Sequence, residues 1–428
     1  MVKEHKLENG LTVLTNEIHH TPMISHWIWY RVGSRNELPG KTGISHWVEH
    51  MQFKGTEKYP LNVLDAEISK VGGMWNAMTY LDWTTYYETL PADKIAIAIN
   101  LEADRMMNSI FDPKETELER TVVMSEREGN ENEPLFRLSE SLRRAAFSHH
   151  PYAHEVIGEM DDLRSMTPED LYSHYKKYYT PSNAVIAVAG DFSTGELIEQ
   201  IQKAYAAFPL NEIKQHPIDP EPEIKTQADV SVEGPGDTLF IEIAYRAPAA
   251  DDRDFLPLMV LDGLLCGPSS LSMVGGGGVS NKTSRLYQRL VENDLAMSIS
   301  GGLQATIDPY LYSILIIASP DQDTDRIIAA VDEEIADVLH NAISDEEVDR
   351  AKKQARALFA YGSESITNQA FWMGYSAMFS EPTWFENYLT NIANINREQI
   401  FAVAKKYLDA HHRVIGIYQP TGVNQHEG

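Results

Sequence analysis

Thr167-Pro168-Glu169-Asp170-Leu171, followed by Lys176-Lys177-Tyr178 and Ala184-Val185-Ile186-Ala187-Val188, is the stretch whose pattern organises the chain. Thr167 predicts a helix N-cap, and the apolar run after the helix predicts a buried strand. The pattern returns as Asn396-Arg397-Glu398-Gln399-Ile400, Lys405-Lys406-Tyr407 and Arg413-Val414-Ile415-Gly416-Ile417. Thr167 and Asn396, Lys177 and Lys406, and Val185 and Val414 are each 229 residues apart. Ile28-Trp29-Tyr30-Arg31 likewise resembles Ile243-Ala244-Tyr245-Arg246, 215 residues on. A repeat this long predicts two homologous α+β halves. Pro209, Pro217, Pro220 and Pro222 mark an extended linker, so the expected division is 1–213, a linker over 214–225, and 226–428.

At 428 residues the chain is too long for one ordinary core. With 43% hydrophobic and 23% charged residues it has the composition of a soluble globular protein. A net charge of −27 argues against nucleic acid and anionic membrane as partners, and suits cationic or neutral substrates. Cys266 is the sole cysteine, which excludes an internal disulfide; beside Gly267 in an apolar run it is expected to be a small buried residue. No run approaches the eighteen or so apolar residues of a membrane helix. Met1-Val2-Lys3-Glu4-His5-Lys6 lacks the apolar core of a signal peptide, so the sequence as it stands is expected in the cytoplasm; a targeting segment removed beforehand would leave no trace.

Only the first half carries metal-binding chemistry. Strands are predicted around Asn9-Gly10, over 25–32, and over 74–80 and 83–90, with helices over 61–71, 95–107 and 113–131. Between the second strand and the first of these helices lies Gly43-Ile44-Ser45-His46-Trp47-Val48-Glu49-His50-Met51, which contains H-x-x-E-H. On a helix, at about 100° per residue, His46 and His50 lie roughly 40° apart, and Glu49 falls roughly 60° to the other side of His46. Two imidazoles can then reach one metal ion while Glu49 holds a water on it. This donor set suits Zn²⁺, and the motif is the inverted zincin signature. A catalytic zinc site needs a third protein ligand. Glu119-Arg120-Thr121-Val122-Val123-Met124-Ser125-Glu126 places two glutamates on one helix face, with Val122 and Val123 expected to anchor the helix in the core. One glutamate can bind metal while the other orients a ligand. Glu128, Glu131 and Glu133 keep a solvated acidic helix in play, and periodicity does not choose among them. The adjacent pairs His19-His20, His149-His150 and His411-His412 point apart and are not expected to chelate. Where the second half should repeat the motif, Phe255-Leu256-Pro257-Leu258-Met259-Val260-Leu261-Asp262 has no histidine, and Gly275-Gly276-Gly277-Gly278 after it is expected to be a mobile, substrate-facing loop.

The motifs together resemble the pitrilysin/insulinase family of zinc peptidases, in its shorter branch with the mitochondrial processing peptidase subunits. They are Gly33-Ser34-Arg35, His46-x-x-Glu49-His50-Met51, Phe53-Lys54-Gly55-Thr56, Gly73-x-x-Asn76-Ala77-x-Thr79, Glu119-Arg120-x-Val122-Val123, His150-Pro151-Tyr152 and Tyr179-x-Pro181-x-Asn183. The resemblance implies one Zn²⁺ per chain held by His46, His50 and Glu126, with Glu119 supporting a ligand and Glu49 as the catalytic base. It implies that the Asn76-Ala77 edge binds extended substrate backbone by strand addition. The implied fold is α+β: each half a mostly antiparallel sheet with helices packed over it, the chain forming half of a clamshell closed around peptides or unfolded segments. Many members hold substrate with an Arg and a Tyr in the second half. Val291 and Met297 stand at those places here, which implies that a homologous partner chain supplies the pair, a heterodimer being favoured over a homodimer. The competing functions are a non-cleaving peptide-binding or assembly subunit, and a zinc hydrolase of a non-peptide ester or amide.

Overall fold

The computed structural model describes residues 2–422 apart from 62, 212, 214–216, 270, 272–278 and 341–342. The glycine loop 275–278 lies outside the described residues. Up to the linker the elements are β1 (Lys3–Lys6), β2 (Thr12–Glu17), β3 (Met23–Tyr30), α1 (Ile44–Met51), α2 (Val63–Lys70), β4 (Met74–Thr79), β5 (Thr84–Pro91), α3 (Ile95–Asn108), α4 (Pro113–Glu131), α5 (Pro134–Ala146), α6 (Met160–Ser165), α7 (Pro168–Tyr178), β6 (Ala184–Gly190) and α8 (Thr194–Ala204). After it come β7 (Ala228–Gly234), β8 (Phe240–Arg246), α9 (Phe255–Leu265), β9 (Ala296–Leu303), β10 (Leu311–Ala318), α10 (Thr324–His340), α11 (Asp345–Gly362), α12 (Ile366–Phe379), α13 (Thr383–Asn394), α14 (Arg397–Tyr407) and β11 (Arg413–Pro420).

Two sheets carry the repeat. The first has the order β1-β2-β6-β3-β5-β4, and the second β7-β11-β8-β10-β9. In each, one pair is parallel (β2–β6, β7–β11) and the other pairings are antiparallel. The two sheets match strand for strand in order and pairing direction once β1 is set aside, as two homologous α+β halves require. The repeated cap is real in both copies. Thr167 and Asp170 form a capping box at α7, and Asn396 and Gln399 form one at α14. Each of these helices leads into a strand, β6 or β11, at the interior of its sheet.

The compact units do not follow the linear cut. One comprises 1–128, 154–218 and 363–386; the other comprises 129–153, 219–362 and 387–428. The chain passes between them at Ile218/Asp219, inside the proline-rich stretch, but each unit also takes a helix from the opposite half of the sequence. In the first unit α12 lies over β3 and β6, with Phe371 and Tyr375 packed on Trp27 and Trp29. In the second, α5 lies over β7, β8 and β11. The repeated arginine explains itself here. Arg31 Nη2 donates to the Ala377 carbonyl at 3.3 Å and Arg246 Nη2 to the Ala146 carbonyl at 2.8 Å, so each sheet's arginine meets the C-terminal turn of its exchanged helix. A cation there satisfies orphan carbonyls and complements the helix dipole.

Candidate metal centre

Helix α1 is short, and its placement comes from its surroundings. Ile44, Trp47, Val48 and Met51 form the buried stripe, which turns His46 and His50 to the other side. Gly43 precedes the helix at φ 85°, and a Cβ there would come within 2.3 Å of the Ile157 carbonyl oxygen, so a capping side chain is excluded. Glu37 supplies the cap from a distance. Its carboxylate accepts from Gly43 N at 2.8 Å and Ser45 N at 2.9 Å, and His154 Nε2 lies 2.9 Å from it.

Helix α4 lies alongside. Asp112 starts it by accepting from the backbone N–H groups of Lys114 and Glu115. Thr116, Glu119, Val123 and Arg127 form its buried side. The expected anchoring by both valines holds for Val123, which is fully buried, and fails for Val122, which is 50% exposed. Neighbouring helical positions diverge by about 100°, so one of an adjacent pair usually faces out. The Arg120 guanidinium sits 4.8 Å from the centroid of the Trp47 ring and donates to the Met166 carbonyl at 2.7 Å, which ties α4 to α1.

These two helices bring His46, His50 and Glu126 together. One ligand atom from each lies within 4.8 Å of the others, and this is the only such group of three or more His, Cys, Asp or Glu among the described residues. His46 Nε2 is 3.9 Å from Glu126 Oε1, and His50 Nε2 is 3.8 Å from Glu126 Oε2. Those spans are slightly wider than the roughly 3.3 Å between ligand atoms on a zinc tetrahedron, within reach of small side-chain rotations. The chemistry of the set also fits. Burial, with His50 adding, pushes the His46 pKa down to about 3, which keeps its imidazole neutral with a lone pair to give. His50 Nδ1 is 2.8 Å from Glu119 Oε1, an arrangement that puts the ring proton on Nδ1 and leaves Nε2 as the donor atom. Burial alone would lower the His50 pKa, but the Glu119 hydrogen bond and the nearby Glu49, Glu119 and Glu126 carboxylates outweigh it and raise it. Glu119 is itself paired with Lys54, and despite its burial these partners hold its pKa below the usual range.

Glu49 is buried beside this group, and burial raises its pKa against the opposing hydrogen bond from Thr79. Thr79 Oγ donates to Glu49 Oε2 at 2.6 Å from β4, the edge strand of the first sheet. Asn76 and Ala77 sit on that same strand; Asn76 is exposed, and its Oδ1 accepts from Ala77 N at 2.9 Å. Sequence reasoning gave no role to Thr79, Lys54 or Glu37. Thr79 and Lys54 stand inside the quoted motifs, while Glu37 carried no signal, since its partners lie six to eight and 117 residues away.

Two histidines of the adjacent pairs are engaged elsewhere. His19 pairs with Asp191 and Glu17, and His150 with Asp308. In the second unit Arg289 pairs with Glu333, Val291 ends a π-helical turn at Tyr287–Val291, and Met297 is exposed on β9.

Comparison with known proteins bears on the whole chain. Residues 12–159 match the insulinase model, peptidase family M16, and residues 165–355 match a model described as the peptidase M16 inactive domain. Over 353 residues the chain is 29% identical to a probable mitochondrial-processing peptidase subunit beta of Arabidopsis thaliana, covering 82% of this chain and 65% of the relative's length. It is 25% identical over 414 residues to an uncharacterized zinc protease of Streptomyces coelicolor, covering 95% of this chain and 87% of the other. The crystal structure of a protease from Helicobacter pylori matches with a TM-score of 0.90 at 25% identity, over 98% of this chain and 99% of that one.

Proposed function

The chain belongs to the pitrilysin/insulinase family of peptidases, and from that premise we propose that it is a zinc metalloendopeptidase acting on peptides or unfolded segments. The observation that carries the reading is the convergence of His46, His50 and Glu126 on one point, with Glu49 buried beside them. His46 and His50 would hold one Zn²⁺ through Nε2 and Glu126 through a carboxylate oxygen, one ion per chain. Bound there, zinc supplies Lewis acidity that activates water and polarises a carbonyl.

The remaining work falls to the chain. Glu119 fixes the His50 tautomer, so that Nε2 keeps its lone pair. The Glu49 carboxylate takes a proton from the attacking water and passes it to the leaving amide nitrogen; its raised pKa favours picking that proton up. The Asn76-Ala77 edge of β4 receives substrate backbone as an added strand, which brings an extended peptide to the Glu49 side of α1.

Val291 and Met297 offer no strong hydrogen-bond donor from their side chains, and Arg289 is engaged with Glu333. A related chain would supply the missing substrate-holding groups, in a heterodimer in preference to a homodimer, with the two chains enclosing the substrate. The relative named as a subunit supports this reading.

The test is metal analysis with a quenched-peptide assay, on the chain alone and with a related chain added. The expected result is one zinc per chain and zinc-dependent cleavage, with kcat/KM raised by the partner. Glu126→Gln should lose zinc while Glu128→Gln keeps it. Equal zinc loss in both variants, or in neither, overturns the ligand assignment. A zinc-loaded chain that cleaves no peptide with or without its partner overturns the function. A chain fully active alone and indifferent to the partner overturns the two-subunit reading.

A further inference from the structure

Resting on the peptidase reading of this site, we propose that Thr79 is a positioning residue for Glu49. Its hydroxyl pins one carboxylate oxygen so that the other is free to handle the proton, and it does so from the strand that receives the substrate.

The hydrogen-bond directions follow from counting protons. A threonine hydroxyl has one hydrogen to give. Thr84 Oγ, fully buried on β5, gives its own to the Val32 carbonyl at 2.9 Å. Thr84 Oγ lies 3.3 Å from Thr79 Oγ, and with its hydrogen spent it can meet Thr79 only as an acceptor. Thr79 therefore chooses between a neutral oxygen at 3.3 Å and the Glu49 carboxylate at 2.6 Å. The shorter contact has the charge-assisted length, so the hydrogen goes to Glu49 Oε2. Among the described residues Thr79 is the one hydrogen-bond donor to that carboxylate.

A glutamate base needs such a partner. Its side chain has three rotatable bonds, and proton transfer demands placement to within about half an ångström. Burial is the largest influence on Glu49 and fixes no direction, and no other hydrogen bond to its carboxylate is present among the described residues. Thr79 is itself placed by the sheet: β4 pairs with β5 in register, Thr79 opposite Thr84 and Ala77 opposite Tyr86. Side chains two apart on a strand share a face, so Ala77 and Thr79 move together when a substrate strand seats on the edge of β4. Seating the substrate and aiming the base are thereby coupled through two residues of one strand.

A bland alternative is that Thr79 is simply a β-branched residue suited to a strand. Thr79→Val keeps that shape and removes only the hydroxyl, whereas Thr79→Ser keeps the hydroxyl. In crystal structures, Glu49 Oε2 is expected to hold its Thr79 partner in wild type and Thr79→Ser and to leave that position in Thr79→Val. In zinc-loaded protein, Thr79→Val should lower kcat by about 10- to 100-fold with KM unchanged, and Thr79→Ser should recover most of it. Zinc content and Tm should match wild type, and adding Thr79→Val to Glu49→Gln should not change peptide affinity by calorimetry. A Glu49 carboxylate unmoved in Thr79→Val overturns the proposal, as does a Thr79→Ser variant as weak as Thr79→Val or a loss confined to KM. If wild-type protein cleaves no peptide, the peptidase reading fails separately, and the carboxylate position in the Thr79→Val structure alone decides this one.

Discussion

Helices α1 and α9 hold matching places in the two units, each against the edge strand at one end of its sheet, β4 or β9. Both carry a buried carboxylate toward that strand, and the two carboxylates have opposite fates. Glu49 meets a single hydroxyl, Thr79, beside the converging ligand atoms of His46, His50 and Glu126. Asp262 is completely buried; it accepts from Ser269 Oγ at 2.6 Å and from Tyr312 OH at 3.0 Å. Burial pushes its pKa up to about 6 against those hydrogen bonds. Gly301 of β9 lies so close that a Cβ on it would fall 1.6 Å from Asp262 Oδ1. The scaffold is shared; chemistry depends on whether polar groups are left with valences to use. At Asp262 the carboxylate is spent on cohesion, and Cys266, buried as expected, joins the same cluster 3.5 Å from the Tyr312 hydroxyl.

The sharpest way to break this contrast is to neutralise each carboxylate in turn. Glu49→Gln should keep fold and zinc while kcat falls by a factor of about 10² to 10⁴. Asp262→Asn should leave kcat unchanged and lower Tm. Peptidase assays and calorimetry on the two variants decide it; substantial activity in zinc-loaded Glu49→Gln removes the distinction. Next in size is Gly301→Ala. Overpacking at Asp262 should cost about 1–3 kcal/mol, read as a lower midpoint in denaturant, with zinc content untouched. A neutral outcome would mean that β9 yields and the cluster is loose.

The exchanged helices offer a symmetric test. Arg31→Met and Arg246→Met each remove a charged donor from a helix C-terminal turn, and each should cost about 1–2 kcal/mol. Similar losses support one shared role; a loss in only one variant would separate the repeats.

The smallest effect is in acid. Ser148 and the backbone N–H groups of Ser148, His149 and His150 outweigh burial and hold the Glu221 pKa at about 2; Arg285 and Ser344 do the same for Glu347. Both pKa values are depressed on folding, so both groups stabilise the second unit fully above their ordinary value of 4.5 and lose that contribution as pH falls toward 2. In the first unit Glu88 and Glu102 are raised by burial, which has the opposite sign: their contribution weakens as pH rises. Around Glu221 and Glu347, hydrogen-exchange protection should therefore fall between pH 5 and 2, and Glu221→Gln should flatten that dependence at its own site. Protection at Ser148, His149 and His150 that is equal at pH 5 and pH 2 would remove the assignment.

Much of this was legible in one dimension because it is local or periodic. His46, Glu49 and His50 share a helix, so their spacing alone sets their angles. The boxes at Thr167 and Asn396 span three residues each, and the copied segments announced the paired sheets with no long-range knowledge. Glu119 and Glu126 were marked as a pair seven apart, but their contacts with His50 and His46 run between helices and became visible only in three dimensions.

The sequence by itself determined the two α+β halves and the face of α1 that carries donors. These follow from periodicity, capping and residue type, which act within a few bonds of the chain. Tertiary structure alone decided that α5 and α12 change partners and that Val122 faces out while Val123 faces in. It alone placed Thr79 on Glu49, Glu37 on the start of α1, and Asp262 in a sealed cluster. Each of those depends on which surfaces meet after the strands pair. The burial that rewards such a meeting is non-directional, so no local pattern records it.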